Sequence, residues 1–170
     1  MEFHLDKCSV REWRVSDAES LAMHANNREI WLNLRNSFPH PYTLEDAQQW
    51  IAIATQEQLH RHFAIVVNDA AVGGIGLIVG TDVYCRTAEI GYWLSEEYWG
   101  QGIVCEAVKA IVKYGFEDLG LLRIWAEVFE GNMGSMRVLE KADFQPEGIL
   151  RNSVFKDGRV LSSTRFAIVK

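Results

Sequence analysis

The sequence predicts an α+β fold, a mixed and mostly antiparallel central sheet flanked by helices. Three observations predict it. Short apolar runs on either side of tight turns, as at 60–67 and 71–79 around Asn68-Asp69, specify antiparallel hairpins. Stripes of apolar residues at helical spacing, such as Ala47, Trp50, Ile51 and Ala54, specify helices with one face turned to a core. The succession of a strand over 87–94, a helix over 102–119 and a strand over 121–128 requires one parallel pair, because a crossover helix returns the chain to the same end of the sheet.

Taken in order, residues 3–13 alternate loosely and suit a first strand, with Val10 and Glu12 on the face opposite Arg11 and Trp13. Ser16-Asp17-Ala18-Glu19 has capping-box spacing and opens a helix carrying Leu21, Ala22 and Ala25. A short helical segment over 28–34 follows, closed by Pro39 and Pro41, which hold the chain extended. Thr43-Leu44-Glu45-Asp46 caps a helix running to about Gln58, and the strands 60–67 and 71–79 form a hairpin. Gly73, Gly74 and Gly76 in the second strand imply a bulge or close approach of another group. After the long crossover come a helix over 132–141 and a terminal hairpin, 144–151 and 160–169, turning at Asp157-Gly158. No repeat or linker interrupts this order, so one domain over 1–170 is expected.

Composition bounds the function. The hydrophobic fraction of 48% and charged fraction of 24% are those of a soluble globular chain. A formal net charge of -6, with no basic run, argues against nucleic acid as a partner. No stretch is long and apolar enough to span a membrane, and the N-terminus lacks a basic leader followed by an apolar run. Cys8, Cys85 and Cys105 stand far apart, and neither they nor His24, His40, His60 and His62 have metal-ligand spacing. A cytoplasmic location and no metal are the corresponding expectations.

The stretch Tyr98-Trp99-Gly100-Gln101-Gly102-Ile103-Val104-Cys105 reads as a loop entering a helix. Two glycines allow a tight turn and close approach of a ligand, and the first amides of the new helix lack partners within it. Such a place binds phosphate oxygens, aided by the helix dipole. A plain helix-entry turn has the same local sequence.

Beyond this loop, the chain resembles the Gcn5-related N-acetyltransferase (GNAT) superfamily, in the branch of the ribosomal-protein N-terminal acetyltransferases. The stretches that carry the resemblance are Glu89-Ile90-Gly91-Tyr92-Trp93-Leu94, then Tyr98-Trp99-Gly100-Gln101-Gly102, then Glu106-Ala107. Farther on, Asn132-Met133-Gly134-Ser135, Leu139-Glu140-Lys141-Ala142-Asp143-Phe144 and Glu147-Gly148 agree as well. There are departures: Val104 and Asp143 stand where the family more often has small residues, and Leu139 replaces a tyrosine that serves in some relatives as the acid for the departing thiolate.

The resemblance implies an acyl-coenzyme A N-acyltransferase fold and direct attack of an amine on acetyl-coenzyme A, through a tetrahedral oxyanion. It implies a pyrophosphate cradle from the amides of Gly100, Gln101, Gly102, Ile103, Val104 and Cys105, with Tyr92, Trp93, Leu94 and Asn132 along the rest of the cosubstrate. Glu89 is the expected base, directly or through water, with a surface ion pair as its bland alternative. Ser135 is the expected group at the sulfur, in place of the missing tyrosine; an N-cap for Asn132 and an ordinary polar helix position for Ser135 are the alternatives. Cys105 lacks the base and orienting group of a cysteine nucleophile.

Trp31, Arg35, Phe38, His40, Tyr42 and Phe155 are candidates for the acceptor side, although most could be packing residues. The expected acceptor is a peptide or protein N-terminus or a small-molecule amine, and the expected assembly a monomer or homodimer. An enzyme acting on antibiotics or polyamines, or an acyl-coenzyme A sensor without turnover, would share these features.

Overall fold

A computed structural model describes residues 1–56 and 61–170. Eight strands form one sheet: β1 (Glu2–His4), β2 (Ser9–Glu12), β3 (Arg61–Val67), β4 (Ala70–Val79), β5 (Thr87–Leu94), β6 (Arg123–Phe129), β7 (Gln145–Lys156) and β8 (Arg159–Val169). Their spatial order is β1-β2-β3-β4-β5-β6-β8-β7. Every adjacent pair is antiparallel except β5 and β6, which are parallel. Five helices accompany them: α1 (Ala18–Ala25), α2 (Arg28–Leu32), α3 (Leu44–Gln56), α4 (Ile103–Glu117) and α5 (Met133–Lys141). The mixed, mostly antiparallel sheet flanked by helices is the architecture that the hairpin signals and the single crossover imply.

The sheet separates two cores. On one face Ile75, Leu77, Ala88 and Ile90 pack with Ala107, Val108 and Ile111 of α4 and Leu139 of α5. On the other, Ala64, Val66 and Ala71 pack with Leu21 and Ala25 of α1 and Ala47 and Ile51 of α3. Each fully buried leucine or isoleucine contributes about 1.5–3 kcal/mol relative to exposure, so the apolar stripes of α1, α3 and α4 fix which side each helix occupies.

The feature that positions the site is the shortness of the parallel pairing. Strands β5 and β6 are in register only at Thr87↔Arg123, Ala88↔Ile124 and Glu89↔Trp125. Beyond Glu89, β5 continues to Leu94 beside β4 alone, and beyond Trp125, β6 continues to Phe129 beside β8 alone. The sheet is thus split at its middle, on the side where α4 begins after β5 and α5 begins after β6. Backbone groups of β5 lining the split have no strand opposite them there.

Several expectations need correction. Residues 3–13 form two strands, because Asp6 and Lys7 turn the chain and Leu5 N donates to Cys8 O across the turn (2.9 Å). Ser16 does not cap α1; it lies in a 3-10 turn over 15–17. Asp17 stands at the N-cap position of α1 without a side-chain bond into that helix; its carboxylate turns back to accept from Arg14 N (2.8 Å), closing the 3-10 turn, and is drawn inward by the buried Arg11. The end of the helix expected to reach Gln58 and the start of the strand expected at His60 lie outside the described residues. The β4 glycines meet both readings: the β3–β4 register shifts between Ile65 and Val66, leaving Val72 beside Gly73 as the extra residue, and a Cβ on Gly73 would lie 2.6 Å from Trp93 O, and one on Gly74 2.7 Å from Trp93 Nε1. Asp143, where glycine is commoner in the family, has φ 66°. That left-handed conformation suits glycine, and aspartate tolerates it better than most residues.

Candidate functional site

The α4 entrance is pinned to the end of β5. Trp99 Nε1 donates to Leu94 O (2.8 Å) and Gln101 Nε2 to Glu97 O (3.1 Å). Gly100 and Gly102 have φ of 75° and 83°, left-handed values that glycine adopts without strain. Gly102 stands at the N-cap with no side chain to cap the helix, and the first helical backbone bond is Glu106 N to Gly102 O (3.2 Å). The amides of Ile103, Val104 and Cys105 therefore leave the helix end without an intrahelical partner, while Ile103 and Val104 pack their side chains against the core. Nothing lies within 4 Å of where a Cβ on Gly100 would stand. Open space, free N–H groups and the positive end of a long helix fit a pyrophosphate.

A cation that no local pattern singles out also stands here. Lys7 Nζ, on the β1–β2 turn, donates to Gln101 O (2.9 Å) and lies 3.7 Å from Glu106 Oε1. The two partners are about a hundred positions apart, and only the fold joins them.

Across the split, Tyr92 of β5 meets α5. Its Oη lies 2.8 Å from Ser135 Oγ, and burial pushes the Tyr92 pKa up to about 12 despite that hydrogen bond, so the phenol stays protonated. Asn132 is the N-cap of α5, its Oδ1 accepting from Ser135 N (3.1 Å). Its capping role is thus real, and it holds Ser135 at the start of the helix beside the split. Leu139 is fully buried in the core, so this position presents no group to the split.

On the opposite face of β5, Glu89 accepts from Arg35 Nη2 (2.5 Å) and its side chain is 17% exposed. Arg35 belongs to a cavity of about 280 Å³, lined also by Leu34, Asn36, Glu127, Phe129 and Lys156. Sequence reasoning missed Glu127, although it lies on β6 two residues past Trp125, where the strands part. Burial works to raise the Glu127 pKa, but hydrogen bonds from Ser163 Oγ (2.6 Å) and Arg165 Nη2 (2.9 Å) outweigh it and hold the carboxyl below its ordinary value.

The other candidates separate by burial. Phe155 lines the cavity with Arg35. Trp31 has Lys156 Nζ 3.8 Å from its ring centroid and the His40 ring centroid 5.8 Å away. Tyr42 is a correction: it is buried in the α1–α3 core, its ring 4.8 Å from Phe38, and burial raises its pKa to about 12. Phe38 in turn packs on Trp93 (5.8 Å). The Trp93 side chain therefore faces this core, away from Tyr92 and α5, and only its backbone borders the split. The Leu94 side chain is buried in the other core, with α4, and its carbonyl is taken by Trp99. Among the described residues no group of three or more His, Cys, Asp or Glu is arranged to hold a metal ion, and no helix is long and apolar enough to cross a membrane.

The comparisons with known proteins agree with this arrangement. The family model described as an acetyltransferase (GNAT) domain matches residues 8–145. The chain is 37% identical over 165 residues to "Probable N-acetyltransferase YjcK" of Bacillus subtilis (strain 168), covering 90% of this chain and 91% of that protein. It is 32% identical over 169 residues to "Uncharacterized N-acetyltransferase YoaA" of the same organism, covering 97% and 94%. Among solved structures it shares its fold, with a TM-score of 0.88 at 17% identity, with RimL, a ribosomal L7/L12 alpha-N-protein acetyltransferase in complex with coenzyme A, covering 99% of this chain and 98% of that one.

Proposed function

The chain belongs to the GNAT acetyltransferase family, and we propose that it transfers the acetyl group of acetyl-coenzyme A directly to a primary amine lodged in the cavity beside Glu89. The observation that carries this reading is the split between β5 and β6, which has unpaired helix-end amides at one side and, at the other, a cavity lined by Glu127 and by Arg35, the partner of Glu89. Acetyl-coenzyme A supplies an acyl group already activated as a thioester.

The protein's residues divide the remaining work. The amides of Gly100 to Cys105, with Lys7 beside them, neutralise the pyrophosphate; the free edge of β5 and Asn132 align the arm that follows it. Glu89 accepts the proton of the attacking ammonium, directly or through one water, and Arg35 fixes the carboxylate in place. Glu127 keeps a second negative charge near the amine. Ser135 donates a hydrogen bond to the departing sulfur, which leaves as a thiolate and takes its proton from solvent, and the Tyr92 phenol aims the serine hydroxyl.

The acceptor is an amine at the end of a peptide or on a small molecule, the size that a cavity of about 280 Å³ admits. Thiol release measured over a panel of amines and peptides tests the reading. Glu89→Gln is expected to lower kcat by about 10²-fold or more, with coenzyme A affinity by calorimetry unchanged. Full activity in that variant, or the absence of saturable coenzyme A binding in the wild type, would overturn the assignment.

A further inference from the structure

The charges around the cavity do not cancel. Arg35 is matched by Glu89 (2.5 Å) and Glu127 by Arg165 (2.9 Å). Lys156, the remaining cation of the cavity wall, is matched by no carboxylate among the described residues. It is 3% exposed, its Nζ donating to Asn36 Oδ1 (3.0 Å) and standing 3.8 Å above the Trp31 ring. The nearest acid in sequence, Asp157, has its carboxylate turned to Arg28 (2.6 Å). Burial lowers the Lys156 pKa and Asp157 opposes it.

An amide oxygen and an aromatic face orient a buried ammonium, but they leave its charge uncompensated, and a buried charge is costly unless paired. An anion entering the cavity would gain a charge-assisted hydrogen bond from a donor that is already positioned. The amine end of the same molecule would lie beside Glu89, the proposed base.

Resting on the acetyltransferase reading above, we propose that Lys156 anchors an anionic group of the acceptor, so that the site selects a primary amine carrying a carboxylate over a neutral amine or a polyamine. Asn36 and Trp31 position the lysine. The carboxylate can belong to a free amino acid or to the acidic first residue of a peptide, and the two sources are separable by experiment. A polyamine has no group for Lys156 and would place a second cation beside it.

The test is the ratio of kcat/KM between matched acceptors. Free amino acids are compared with their amides, and peptides beginning with Asp with the same peptides beginning with Asn, with spermidine as the polycation. In the wild type at least one matched pair is expected to favour the acid by about tenfold to a hundredfold, and spermidine to be poor. Lys156→Gln is expected to abolish that ratio, chiefly by raising KM for the acid, and Lys156→Arg to restore most of it. Circular dichroism and coenzyme A calorimetry on both variants verify folding. Equal use of acid and amide in the wild type, or a ratio untouched in Lys156→Gln, would overturn the Lys156 assignment alone. Absence of thiol release with every acceptor would overturn the acetyltransferase reading with it.

Discussion

Tyr92 Oη and Ser135 Oγ lie 2.8 Å apart, joining the free edge of β5 to the first turn of α5 across the split in the sheet. The position where some relatives carry an acidic tyrosine is here the buried Leu139, so this pair is the hydroxyl chemistry that the split contains.

If Ser135 hydrogen-bonds the departing sulfur, Ser135→Ala is expected to reduce kcat by about 10²-fold. Tyr92→Phe removes only the orienting bond, and a loss of about fivefold to tenfold is expected. Because burial pushes Tyr92 up to about 12, it remains protonated in alkaline assays. The ratio of wild type to Tyr92→Phe should therefore be the same at neutral and at mildly alkaline pH. Steady-state kinetics at both conditions measure it, and unchanged kcat in both variants would remove the pair from the reaction.

Gly102 makes a second prediction. Its φ of 83° is left-handed, and a Cβ there would lie 2.9 Å from Lys7 Nζ. Lysine can swing aside; the backbone strain, roughly 1–2 kcal/mol, cannot be relieved without moving the helix entrance. Gly102→Ala is expected to weaken coenzyme A binding about tenfold by calorimetry. Wild-type affinity in the variant would place the pyrophosphate elsewhere.

Stability against acid depends on Arg11 and Asp17, joined by two bonds of 2.8 Å, each side chain 6% exposed. Burial of Asp17 raises its pKa, but Arg11 and the Arg14 amide outweigh burial and bring it below the ordinary value. A carboxyl whose folded pKa is depressed adds stability that is present above its unfolded pKa, about 3.9, and disappears as pH falls through the folded value. Wild-type melting should thus show no contribution from this pair to pH dependence near neutrality and lose it below about pH 4. Asp17→Asn, which strands a buried guanidinium, is expected to cost about 3–5 kcal/mol at neutral pH. A melt indistinguishable from wild type would refute that.

What the sequence made legible was local. The α4 stripe, the glycine entrance and the Asn68-Asp69 turn are set by neighbours within a few residues, and each stands where its pattern places it. Glu89, Tyr92, Asn132 and Ser135 were visible only through the family resemblance, which orders them along strand and helix. Lys7, Glu127 and Lys156 escaped because their meaning arises from partners far along the chain: Gln101, Arg165, and Asn36 with Trp31. Tyr42 misled for the same reason, since an aromatic beside proline reads alike whether it faces a ligand or a core. Ser16 misled as a cap because Asp17, bonded to Arg11 and to the Arg14 amide, closes a 3-10 turn over 15–17 ahead of α1.

The central claim is direct transfer within the split between β5 and β6. Thiol release from acetyl-coenzyme A by the wild-type protein, followed with and without an acceptor amine, tests it most directly. The expected result is release only when amine is present, one thiol for each amine acetylated. Release without amine, leaving an acetyl group on the protein at Cys105 or elsewhere, would contradict it.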